Sequence, residues 1–108
     1  MLGPASDHEL AEKRSLAYHG EIATRLAGDP DLLKRARSRV ESWLSSAAVA
    51  RFYAEQWRDI LARTPAEIRL VLLDAGEPMR MLRQVSPFAG ALSPRDRWRI
   101  WRTVRATP

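Results

Sequence analysis

The sequence predicts an all-α protein, a compact single-domain bundle of about six helices, on three observations. A capping residue followed by proline occurs three times, at Asp29-Pro30, Thr64-Pro65 and Ser93-Pro94; proline at the first helical position behind such a cap marks a helix start. Between those marks apolar residues recur at the 3.6-residue period. Strand signals are missing: there is no period-2 alternation, no Val-Thr-Ile cluster bounded by turns and no internal repeat.

Helices are predicted at about 8–27, 30–45, 48–63, 65–75, 78–85 and 94–105. Residues 1–7 read as a flexible N-terminus and 8–106 as one helical domain. In the first helix His19 falls on the arc of Tyr18, Ile22 and Leu26, the position of a satisfied core or rim histidine. Gly28 and Gly76 stand where a helix C-terminus wants positive φ.

The second helix is a clean amphipath: Leu32, Leu33, Ala36, Val40, Trp43 and Leu44 share one face. Lys34, Arg35, Arg37 and Arg39 on its back read as a solvated face, with Glu41 a local partner for Arg37. The third helix repeats the design with Val49, Phe52, Tyr53, Trp57, Ile60 and Leu61, so the two are expected to wall one core.

The fourth helix, with Ile68, Leu70, Val71, Leu72 and Leu73, is apolar nearly all round. Such a helix must be covered on every side. It is either the central helix of the bundle, the preferred reading, or it is completed by another chain. Thr64 with Glu67, and Ser93 with Asp96, place an acidic side chain where it can reach back to the cap. In the last helix Ile100, Trp101 and Val104 form an apolar stripe with Arg97 in its middle, and a charge there demands a partner. Trp98 shares a flank with Arg102 and Arg105, residue types enriched at interface hot spots; the plainer role is that Trp98 covers the preceding loop.

Composition bounds the function. The 108 residues suit one domain. Cysteine is absent, which excludes disulfides, a thiol nucleophile and Cys-based metal sites and fits a reducing cytosol. His8 and His19 have no metal-ligand spacing. No apolar run approaches the ~20 residues of a membrane helix, and Met1 to Ser6 lacks the charged and apolar regions of a signal peptide; a cytoplasmic location is expected. The formal charge of +5 is almost wholly arginine, since Lys13 and Lys34 are the only lysines. Arginine favours bidentate contacts to carboxylate or phosphate, although a GC-rich genome produces the same bias.

No P-loop, dinucleotide fingerprint or nucleophile elbow is present, and Asp74 and Glu77 around Gly76 are ordinary turn residues. The chain is expected to have no enzymatic activity and to need no cofactor, metal or small-molecule substrate; it acts by binding a macromolecule. One candidate is DNA. The segment Ile68 to Val85 imitates a helix-turn-helix, with Arg80, Arg83 and Gln84 on its short second helix as possible base readers and operator DNA as the ligand. The imitation is partial, because Leu72 stands where close helix crossing wants a small side chain.

The segment Leu82-Arg83-Gln84-Val85-Ser86-Pro87-Phe88-Ala89-Gly90, followed by Leu92-Ser93-Pro94-Arg95-Asp96-Arg97-Trp98-Arg99-Ile100, resembles a family of small bacterial proteins encoded beside nucleotidyltransferase-like toxins, the antitoxins of those pairs. The likeness runs from about Leu16 to Arg105. It implies an α-helical antitoxin that binds and blocks a toxin whose own chemistry is transfer of nucleotides from a nucleoside triphosphate onto tRNA. The motif carries over to Arg83, Gln84, Ser86, Pro87, Phe88, Ala89, Gly90, Pro94, Arg97 and Trp98. The chain departs from the usual antitoxin plan in lacking both an obvious DNA-binding half and a disordered toxin-wrapping tail. Candidate partner-binding residues are therefore Arg83, Gln84, Ser86, Phe88, Arg97, Trp98, Arg102 and Arg105. Physically, Pro87 and Pro94 stiffen the connection and Gly90 permits a sharp bend. Phe88 is a staple if buried in its own core and an anchor if buried in a partner; as a staple it would leave Arg83 and Arg97 to bind the loop carbonyls.

Overall fold

A computed structural model describes residues 7–106; of the N-terminus expected to be flexible, 1–6 lie outside the described residues, and Asp7 opens the first helix. Among those residues there are six α-helices and no strand: α1 Asp7–Arg25, α2 Pro30–Ser46, α3 Arg51–Leu61, α4 Pro65–Leu72, α5 Glu77–Arg83 and α6 Pro94–Ala106. α1 is the hub, packing against α4, α5 and α6, while α2 and α3 form a hairpin whose second arm also meets α4. The molecule measures 48 × 29 × 24 Å.

The helix starts follow their caps. Thr64 Oγ1 accepts from the Glu67 amide at 3.2 Å and donates to the Glu67 carboxylate at 2.9 Å, and Ser93 Oγ accepts from the Asp96 amide at 3.1 Å. The Asp96 carboxylate pairs instead with Arg25 of α1. Asp29 makes no side-chain cap; Pro30 alone sets that start.

The helix ends differ from expectation. Gly28 and Gly76 do not take positive φ; among the described residues Gly90 (φ 78°) and Ala47 (φ 58°) do. Gly76 is the N-cap of α5, at φ −68°. Ala47 ends α2 in the left-handed region, its amide donating to the Trp43 carbonyl at 3.1 Å. This delays α3 to Arg51, three residues later than predicted. An alanine can hold that conformation at a cost of roughly 1–2 kcal/mol, which is why no sequence signal marks the turn. α4 stops at Leu72 because Arg83 draws the carbonyls of Leu72 and Asp74 to its guanidinium, at 3.3 and 2.6 Å.

The core joins Ile22 and Leu26 of α1 to Leu32, Leu33, Ala36 and Val40 of α2, Trp57 and Leu61 of α3, and Ile68 and Leu72 of α4. Trp57 is fully buried, and its indole N–H donates to the Leu82 carbonyl at 3.2 Å, fastening α3 to α5. Arg37 donates to the Leu61 carbonyl at 2.9 Å, closing the hairpin rather than pairing with Glu41. Two apolar expectations fail. α4 is not the central helix: it packs chiefly against α1, with fewer contacts to α3, and Leu70 is 71% and Leu73 44% exposed. Phe52, in the first turn of α3 at the outer edge of the apolar arc, is 65% exposed and packs edge-on against Tyr53.

Candidate functional site

The Ser86 to Gly90 loop is tied to α1 by two adjacent side chains. Tyr18 Oη donates to the Phe88 carbonyl at 2.6 Å and accepts from the amides of Ala91 and Leu92 at 3.1 and 3.3 Å. His19 Nδ1 lies 2.8 Å from the Ser15 carbonyl, an acceptor only, so Nδ1 carries the proton and Nε2 accepts from Ser86 Oγ at 2.7 Å. Ser86 Oγ in turn accepts from the Phe88 amide at 3.1 Å. Burial pushes the imidazole down to about 4, with Arg83 adding to the effect, and keeps it neutral. Phe88 is 1% exposed and sits edge-on against both Trp57 and His19. On the far side Arg39 donates to the Ala89 carbonyl at 2.6 Å.

These contacts correct three assignments. Phe88 is a core staple, half-buried Ser86 is engaged in the His19 tie, and Arg83 is buried against the end of α4, so their side chains are committed within the fold. Arg83 does bind carbonyls, but those of Leu72 and Asp74 rather than of the motif loop. The helix-turn-helix readers fare similarly. Arg80 is engaged by Glu12 and by Glu77 at 3.2 Å, which holds the guanidinium charge more firmly than usual through the Glu12 hydrogen bond. Of Arg80, Arg83 and Gln84, only Gln84 is exposed without such a partner. α5, at seven residues, is short for a recognition helix.

Accessible chemistry gathers on α6. Its inner side is fixed to α1 by ion pairs from Arg25 to Asp96 (3.1 Å) and from Arg99 to Glu21 (3.8 Å), with Arg99 also meeting Asp96 of its own helix at 3.3 Å. The Arg25 hydrogen bond holds the Asp96 carboxyl below its ordinary range. On another side, Arg14 of α1 and Trp98, Trp101, Arg102 and Arg105 of α6 line a groove of about 400 Å³. The Arg14 guanidinium lies over the Trp101 ring, 5.4 Å from its centroid, and Trp98 is 56% exposed. Arg14, Arg102 and Arg105 form no ion pair among the described residues. Among the described residues the groove therefore holds three guanidiniums without an ion pair beside two indoles.

The structure thus brings Trp98, Arg102 and Arg105 together, as their helical spacing requires. Arg97 is half-buried, and neither its Nε nor that of Arg14 has a hydrogen-bond partner among the described residues; Arg97 does not bind the loop carbonyls. Arg14 was absent from the sequence-based candidates. Only the register of α1 on α6, which no local pattern reveals, places it there. No three His, Asp or Glu side chains among the described residues gather as a metal site, and no helix is long and apolar enough to cross a membrane. Comparison with family models, curated proteins and solved structures finds no match to this chain.

Proposed function

We propose that the chain is an antitoxin-like protein that binds and neutralises a co-encoded nucleotidyltransferase-type toxin by direct protein contact, without catalysis of its own. The observation that carries this reading is the α6 groove: an exposed tryptophan flanked by arginines that form no ion pair among the described residues. An aromatic anchor beside accessible arginines suits an acidic protein surface. A cleft for nucleotidyl transfer is such a surface, since carboxylates hold its divalent metals. The resemblance of the Arg83 to Trp98 segment supplies the partner's class.

The test is co-expression with the neighbouring gene's product. A stable complex and relief of growth inhibition are expected, with Trp98→Ala and Arg102→Ala weakening both while helical content is unchanged. Undiminished neutralisation by both variants would remove α6 as the binding face. Salt-sensitive binding of upstream duplex by the purified chain, with no protein complex, would favour the DNA-binding alternative instead.

A further inference from the structure

We propose that the groove of Arg14, Trp98, Trp101, Arg102 and Arg105 binds a nucleotide, its base stacked on indole and its phosphates on the guanidiniums, in competition with the acidic partner. The competition rests on the antitoxin-like reading; nucleotide binding by the free chain does not.

Charge is the first ground. The hollows between α1 and α5 are lined by Glu12 together with Arg80 and Arg83, so their arginines are already opposed by a carboxylate. Among the described residues the α6 groove is lined by three arginines and no acidic side chain. Guanidinium is the cation suited to paired oxygens of phosphate, through two parallel N–H donors.

Aromatic surface is the second. Trp101 has a guanidinium over its ring, whereas Trp98 is more than half exposed in the same groove. An inorganic anion would leave that indole unused, and so would an aliphatic carboxylate. A nucleotide uses both features, because every base offers a π face and stacking on an aromatic side chain tolerates base identity. A volume of about 400 Å³ falls among small-ligand sites. The same chemistry is presented by a free nucleoside triphosphate and by a nucleotide of single-stranded RNA.

Calorimetric titration of the full chain with ATP, a short oligoadenylate, inorganic triphosphate and a glutamate-rich peptide separates these ligands. Saturable binding of ATP or oligoadenylate is expected, tighter than that of triphosphate or peptide and weaker at higher salt. The tighter of the two identifies the source as free nucleotide or RNA strand. Trp98→Ala should lower that affinity about tenfold or more, and Arg102→Ala should lower it as well. Arg63→Ala, at an exposed site that does not line the groove, should leave it unchanged. Equal affinity for triphosphate and ATP overturns the proposal, as does nucleotide binding that survives both groove substitutions. If nucleotide fails to bind while both variants still weaken the toxin complex, this inference falls and the antitoxin reading stands; nucleotide binding without any toxin complex has the opposite meaning.

Discussion

Phe88 and Trp98 are both large aromatic side chains of one C-terminal segment, and they have opposite fates. Phe88→Ala removes a ring from between Trp57 and His19 and is expected to cost about 3–5 kcal/mol in chemical denaturation. Trp98→Ala acts on an exposed ring and should change stability by less than about 0.5 kcal/mol while weakening binding. A comparable loss for both would mean that Trp98 is a structural cover. His19 provides a pH dependence of definite sign. Its folded value of about 4 lies below the ordinary 6.5, so the unfolded chain binds the extra proton between those limits. Stability is then full above pH ~6.5 and falls by roughly 3 kcal/mol as the pH drops towards 4. The carboxyls of Glu12 and Asp96, both held down by arginine hydrogen bonds, lose their contribution only at more acidic pH. Denaturation midpoints measured from pH 4 to 7 should show this slope in the parent chain and lose it in His19→Gln.

At the scale of elements, the motif loop is held by side chains distant in sequence more than by its own turn chemistry. Gly90 supplies the left-handed residue that the bend needs, yet Tyr18 satisfies a carbonyl and two amides of the loop through one hydroxyl. Tyr18→Phe keeps the ring and removes all three bonds. A loss of about 1–3 kcal/mol is expected from the polar groups left without a partner. Amide exchange should accelerate at Ala91 and Leu92 in particular; uniform acceleration along the chain would place the effect on the whole core instead. The fixing of α6 by Arg25, Glu21, Asp96 and Arg99 is a network of partly exposed pairs, each worth at most about 1 kcal/mol. It orients the helix more than it stabilises the fold, and that orientation brings Arg14 beside Trp101.

For the whole molecule, the question is what covers α4. Leu70 and Leu73 are exposed, as are Phe52 and Met81, but isolated apolar residues at the surface are common in monomers. Leu70→Lys is therefore expected to change stability by less than about 0.5 kcal/mol, with a midpoint independent of protein concentration. A concentration-dependent midpoint that the substitution abolishes would show that α4 packs against a second copy.

The fold class and the three proline-marked helix starts were determined locally. Proline at N1 lacks the amide that a first turn leaves unpaired, so Pro30, Pro65 and Pro94 mark helix starts whatever surrounds them. The buried faces of α2 and α3 followed from periodicity, save for Phe52 at the edge of the α3 arc. The end of α2 at Ala47 did not, because an alanine in the left-handed region leaves no compositional trace. Trp98, Arg102 and Arg105 could be grouped from sequence because one turn of one helix brings them together. Arg14 could not, since it comes from α1, and the contacts that engage Arg83, Ser86 and Phe88 come from Leu72, His19 and Trp57. Which arginines are consumed inside and which remain free was decided by tertiary packing alone: an arginine's role depends on the carbonyls and carboxylates within its reach, and those come from elements far apart in the chain.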